Sequence, residues 1–207
     1  MEVRVRLLPI LGSFGELLVL AVGLSGVARA TDLSEPVTLV ASSALEGTPF
    51  EQAVILAVPM PRGGHVGFIL NKPTGLKLKA LFPKDAAARQ VKESVYLGGP
   101  MLLPSVFAIT RKVPQGGNAV IPLMPGLVAV LDGATIDRMV KTTPNDTRYF
   151  LGLMLWDEGE LEDQVRRNAW ELRPARADMV FRAKSPGLWN SLRSPMAALD
   201  LIPTRLS

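Results

Sequence analysis

Eighteen glycines and 17 prolines punctuate the 207 residues of this chain. Glycine weakens a helix or strand interior, and proline can neither continue a helix nor donate to a sheet ladder. Most strands are therefore expected to be short. What remains between the breaks is apolar and rich in β-branched side chains. Residues 37–42 (VTLVAS), 53–58 (AVILAV), 65–70 (HVGFIL), 95–97, 105–110 (SVFAIT), 119–122, 127–131, 148–155 (RYFLGLML) and 178–181 read as strands. Asn71-Lys72-Pro73-Thr74-Gly75 reads as the turn that ends the third of them, because Pro73 lacks a donor and pushes Lys72 to extended geometry. Helical spacing is confined to 76–82, 132–141, the segment opening at Asp157, and two short stretches at 188–193 and 196–199. Strands and helices interleave without regular βαβ spacing. This predicts a single compact α+β domain over residues 31–207, with a mixed, mainly antiparallel sheet or barrel-like core flanked by helices.

The segment from Asp157 carries the clearest helix signal. Asp157 takes the N-cap position with Glu160 three residues on, and Leu161, Val165 and Ala169 recur as an apolar stripe. Acids crowd the start and Arg166-Arg167 follow, in the order the helix dipole favours. Glu162→Arg166 and Asp163→Arg167 are spaced as i,i+4 pairs. Trp156 precedes the cap in the staple position, and Trp170 is expected to clamp the helix end onto the sheet.

The N-terminus reads as an address. Arg4 and Arg6 form a basic region, Glu16 is the only charge between residues 7 and 28, and Ala28-x-Ala30 is the small-residue pattern of a signal-peptidase site. Residues 1–30 are expected to be a signal peptide cleaved after Ala30, placing the protein in the periplasm. The alternatives are an uncleaved membrane anchor at 7–28 and a misassigned start with a cytoplasmic product. Once residues 1–30 are removed the chain carries +3 and no stable membrane span.

Composition narrows the chemistry. The absence of Cys excludes disulfides, thiolate metal sites and a Cys nucleophile, and a single His, His65, leaves no His-rich metal site. No metal and no cofactor are expected. The formal charge of +4 is too small to point to nucleic acid, which an exported protein does not meet in any case.

Three blocks of the sequence resemble the YqgE/AlgH family of bacterial proteins. They are residues 64–73 (GHVGFILNKP), similar to G-x-x-G-h-h-h-N-R-P with h apolar; residues 95–100 (VYLGGP), similar to h-h-x-G-G-P; and residues 150–170 (FLGLMLWDEGELEDQVRRNAW), similar to F-h-G-h-x-x-W-x-x-G-Q-L-E-x-E-h-x-x-N-x-W. The resemblance spans about residues 37–193. It implies one compact α+β domain and no defined reaction; the family name is tied to transcriptional regulation through one member. Lys72 stands for the usual Arg, Glu160 for the usual Gln, and a signal peptide precedes the domain.

The motif residues are read as architecture first. Asn71, Lys72 and Pro73 form a strand-ending turn in which Asn71 tolerates left-handed geometry and hydrogen-bonds locally, with Lys72 offered to an anion as the alternative. Gly98, Gly99 and Pro100 make a tight reversal or a close backbone contact, with an anion-binding nest as the alternative. Trp156, Gly159, Glu160, Leu161, Glu162, Asn168 and Trp170 are assigned to scaffold, Asn168 bonding to a nearby loop through its amide. An acid/base pair or cation site among the carboxylates of 157–163 is the alternative. His65 reads as a surface residue or, alternatively, as a general base. The cations Arg166, Arg167, Arg173, Arg176, Arg182 and Lys184 read as a solvated patch. No catalytic residue is assigned. The leading expectation is a non-enzymatic protein that binds a protein partner or small ligand, and catalysis through His65 or the carboxylates at 157–163 is the runner-up. A cytosolic transcription-linked regulator is the third.

Overall fold

The computed structural model describes residues 32–116, 119–181 and 187–193. The signal segment, the stretch at 196–199, Arg182 and Lys184 lie outside the described residues. Among the described residues ten strands are found: β1 (Val37–Ala41), β2 (Val54–Pro59), β3 (His65–Ile69), β4 (Pro73–Lys77), β5 (Ser94–Leu97), β6 (Met101–Thr110), β7 (Val120–Met124), β8 (Leu127–Val130), β9 (Thr147–Trp156) and β10 (Trp170–Pro174). They form one curled sheet in the order β10-β1-β2-β3-β9-β6-β8-β7. All of these neighbours run antiparallel. β5 lies parallel to β9 and also pairs β4.

The unbroken apolar runs of β1 and β2 follow from burial on both faces. Val40, Val54, Leu56 and Val58 point into a central cluster with Phe68, Phe107 and Phe150. The residues between them, Leu39, Ala41, Ile55 and Ala57, point the other way into a second cluster with Trp156, Leu161 and Trp170. A strand whose two faces are both covered shows a continuous apolar run instead of alternation. At the other end of the sheet, Ala108, Val130 and Tyr149 turn outward to meet Ile136, Met139 and Val140 of helix α2 (Gly133–Thr142). Asp132 caps that helix by accepting from Thr135 N–H at 2.8 Å, and this bond holds the Asp132 carboxyl below the usual carboxylate range.

β9 is the central strand. Its first half pairs β6 and β5, and its last three residues pair β3, with His65 opposite Trp156. The change from β5 to β3 spans Gly152, which has φ +64°, while β6 pairs as far as Leu153. Gly98 and Gly99 cross the backbone there: a Cβ on Gly98 would lie 2.2 Å from Gly152 O, and one on Gly99 2.3 Å from the Leu153 carbonyl. No side chain fits between these chains.

Several sequence expectations are corrected. Residues 73–77 form strand β4 instead of a turn, because β5 offers them a partner. The short helix read at 76–82 narrows to α1 (Leu78–Leu81), in which Leu78 is the buried residue. The strand read at 178–181 is the helical turn α4 (Ala177–Val180), which buries Met179 and Val180 in the central cluster. α5 spans Leu188–Arg193. Asp157 does not cap the next helix. That helix, α3 (Glu160–Arg166), starts from Gly159 at φ +81° and has no side-chain cap bond at its N-cap. Asp157 instead donates its backbone N–H to Glu160 Oε2 at 3.1 Å. α3 stops at Arg166, so Ala169 lies outside it and Trp170 opens β10. Asp163 pairs Arg166 at i,i+3, in place of the two i,i+4 pairs expected.

Candidate functional site

The motif residues divide into clasps and a cleft. Asn71 is a clasp. Its Oδ1 accepts from Val54 N at 2.9 Å and its Nδ2 donates to Gln52 O at 2.7 Å, tying the end of β3 to the start of β2. The left-handed geometry in this region falls to Gln52, at φ +57°. Lys72 Nζ donates to Pro49 O at 2.8 Å. Asn168 carries φ +58°, and its carbonyl accepts from Ser42 Oγ at 2.5 Å. Its exposed side chain is not what ties it to that loop, contrary to expectation.

The Trp156–Trp170 block is tied by a residue the sequence reading passed over. Gln164 Oε1 accepts both indole N–H groups, from Trp156 at 3.2 Å and from Trp170 at 2.9 Å. Gln164 Nε2 donates to Glu160 Oε1 at 3.3 Å. A single chain of bonds therefore runs from Asp157 through Glu160 and Gln164 to both tryptophans. Its signal in the sequence was a polar residue one turn from Glu160 on the buried side of the helix.

His65 is corrected from surface to interior. It is 4% exposed, and its Nε2 stands 2.9 Å from Leu33 O. It forms part of the wall of a cleft of about 690 Å³ between the segment 32–34, the β2–β3 turn and the start of α3. Gly63, Gly64, Glu158, Gly159 and Glu162 also line it. The turn packs tightly under the helix entry: a Cβ on Gly64 would lie 2.2 Å from Trp156 O, and one on Gly63 would lie 3.3 Å from Glu158 Oε2. The first and third sequence blocks, far apart in the chain, thus build one site. The helix-start carboxylates separate within it. Glu158 and Glu162 face the cleft, while Glu160 turns to Asp157 and Gln164.

Ser34 also lines the cleft but its hydroxyl donates to Asp32 Oδ2 at 2.7 Å. Together with the Ser34 N–H, that bond holds the Asp32 carboxyl below the usual carboxylate range. The serine, the histidine and the carboxylates therefore do not form a nucleophile–base–acid chain. Three cations of the expected patch are paired: Arg166 with Asp163 at 2.7 Å, Arg173 with Glu171 at 2.8 Å, and Arg176 with Asp178 at 3.0 Å. Among the described residues no helix is long and apolar enough to cross a membrane.

The sequence profile described as AlgH-like matches residues 38–198. A UPF0301 protein of Parabacteroides distasonis is 28% identical over 165 residues, covering 73% of this chain and 77% of that protein. One from Chlorobaculum tepidum is 29% identical over 161 residues, covering 75% and 83%. The solution structure of the AlgH protein from Pseudomonas aeruginosa superposes with a TM-score of 0.64 at 22% identity, covering 86% of this chain and 98% of that one.

Proposed function

The chain belongs to the AlgH-like family, and within that family we propose for it the role of an exported, non-enzymatic binding protein whose ligand enters the cleft at His65, Glu158 and Glu162. The observation that carries this reading is the convergence of the first and third sequence blocks on one concave site. Beside the cleft the turn and the helix entry are tied, since Gly64 packs against the Trp156 carbonyl and Gln164 accepts from both tryptophans. Binding sites are typically built this way, as a few polar groups set in a largely preformed apolar wall. Export is supported by the basic start, the apolar run and Ala28-x-Ala30.

Catalysis with His65 as general base draws on the same convergence and is the second reading. The bond of Ser34 to Asp32 speaks for binding instead, because that hydroxyl is already committed.

An amide-resolved NMR screen of chemically diverse small molecules and peptides tests the reading. Ligands are expected to shift Gly63, Gly64 and Gly159 without being consumed. Turnover of a compound would move the assignment to an enzyme. Mass spectrometry of the protein from its native envelope is expected to find an N-terminus at Thr31; an intact Met1 on cytosolic protein would remove export from the proposal.

A further inference from the structure

The sequence continues for 14 residues past the end of α5, from 194 to 207. Leu199, Leu201 and Ile202 stand among them, with Asp200 between the two leucines and Pro203 closing the run. In an extended chain Leu199 and Leu201 fall on one face and Asp200 on the other. Such a segment gains by covering its apolar face. The family profile stops at residue 198, so this run lies beyond the match. The end of α5 is placed beside the outer edge of the sheet. Arg193 Nε stands 3.5 Å from Glu171 Oε1 of β10, and β10 has β1 as its one strand partner among the described residues. α5 packs on the central cluster through Leu188 and Leu192. Leu172, next to Glu171, turns to the opposite face, where it joins the second cluster and lines the cleft of about 690 Å³.

The cleft wall is apolar on the side that Leu172 belongs to. Leu33, Pro59, Met60, Val165 and Leu172 line it, and each is only half-buried. A contiguous apolar surface left in this state is one that a partner covers. The tail reaches it. A layer packed on the far face of a sheet lies about 10 Å away, and six extended residues span about 20 Å. Residues 194–198 therefore suffice to cross the edge of β10 and bring Leu199 to the groove. We propose that residues 199–203 dock in this groove as its own occupant, with Leu199 and Leu201 seated against Leu33, Met60, Val165 and Leu172. The tether makes a contact this small sufficient, because a short linker holds its end at an effective concentration on the order of a millimolar. The groove is part of the cleft described above, so a ligand entering there displaces the tail. That displacement rests on the binding reading above; the docking does not.

The chain has no Cys, so Thr204→Cys gives a single attachment point for a nitroxide. Amide NMR on the full-length protein carrying that label is expected to show Gly63, Gly64, Val165 and Leu172 broadened, with the signals restored on reduction of the nitroxide. Leu199→Ser combined with Leu201→Ser in the labelled chain is expected to abolish the broadening at these amides, with far-UV circular dichroism unchanged. Broadening confined to the surroundings of Arg193, or untouched by the double substitution, overturns the docking. A mixture of spin-labelled chain with isotope-labelled, nitroxide-free chain tests the other occupant: broadening of the same amides there assigns the groove to the tail of a second copy and overturns the intrachain contact. A compound that shifts Gly63, Gly64 and Gly159 is expected to bind the double variant about tenfold more tightly than the parent, and equal affinity overturns the displacement. If compounds bind while the broadening is absent, the docking falls and the binding role stands. If the broadening is present and no compound shifts these amides in either protein, the binding role falls and the docking stands.

Discussion

Arg148, only 1% exposed, grips a single oxygen of Glu93 with two guanidinium nitrogens, Nε at 3.3 Å and Nη2 at 2.6 Å from Oε1. The same guanidinium donates to Tyr96 OH at 2.9 Å, to Leu70 O at 3.4 Å and to Val180 O, and it stacks 4.0 Å from the centre of the Tyr96 ring. One side chain therefore ties together β9, β5, the end of β3 and α4. Removing it takes a donor from Tyr96 OH, Leu70 O and Val180 O and empties the space of a large buried side chain, so Arg148→Ala should cost about 3–5 kcal/mol in urea unfolding. Arg148→Lys should recover little, because an ammonium cannot reproduce a planar fork that reaches four partners. Glu93 is 39% exposed, and Glu93→Gln should cost no more than about 1 kcal/mol. An Arg148→Lys protein as stable as the parent would refute the network's importance.

The Glu160–Gln164 contact makes a prediction about sequence exchange. The family pattern has Gln and Glu at these two positions, and this chain has them exchanged. One turn apart and bonded at 3.3 Å, they form a pair that works in either order. Gln164→Glu alone sets two carboxylates against each other. The double variant Glu160→Gln with Gln164→Glu restores the donor. A double-mutant cycle should show a favourable coupling of about 0.5–1 kcal/mol. Gln164→Leu, which strips both indoles of their acceptor, should cost about 1–3 kcal/mol, and Trp156→Ala or Leu161→Ala about 2–5 kcal/mol. A coupling of zero would show that the two side chains do not sense each other.

Two glycine substitutions should move stability in opposite directions. A Cβ on Gly99 would meet the Leu153 backbone at 2.3 Å, where nothing can rotate away. Gly99→Ala should therefore destabilise by several kcal/mol, on the order of other steric insertions in a packed interior, about 1–3 kcal/mol or more. Gly133 opens α2 with no atom within 4 Å of an added Cβ. Gly133→Ala should stabilise by about 0.4–1 kcal/mol. Thermal unfolding of both variants reads this directly; similar melting temperatures would contradict it.

Tyr149 sets an alkaline limit. Burial pushes its phenol up to about 12 from the ordinary 10.0. Below pH 10 folded and unfolded chains both keep the proton, and stability is unaffected. Between pH 10 and about 12 the unfolded chain ionises first, so stability falls by about 2–3 kcal/mol across that window. Tyr149→Phe should abolish this share of the loss. Urea midpoints at pH 9 and pH 11.5 check it, and an equal alkaline decline in the variant would assign the effect elsewhere.

The strands were legible because burial on one or both faces writes itself into a segment as an apolar run. β1, β2, β3, β6 and β9 all lie within a few residues of where the sequence places them. α2 was legible for the same reason, with Ile136, Met139 and Val140 on one face. β4 was not, because its residues are mostly exposed and its strand geometry comes from hydrogen bonds to β5. The candidate site was legible only in pieces: His65 and the carboxylates of 157–163 each drew notice, but as separate alternatives. Gln164 and Arg148 drew none, since a polar residue in a charged helix and a cation at a strand end look solvated in one dimension.

What the sequence by itself determined is therefore local: which segments bury apolar surface, where glycine and proline interrupt them, and the family they resemble. What only the tertiary structure decided is which polar groups share a neighbourhood. Arg148 finds its carboxylate in Glu93, 55 residues away, and His65 shares a cleft with Glu158 and Glu162 because β3 pairs the end of β9. Apolar burial is non-directional and accumulates along a segment, so it leaves a periodic trace. A hydrogen bond needs one partner at one distance and angle, and that geometry exists only once the chain has closed.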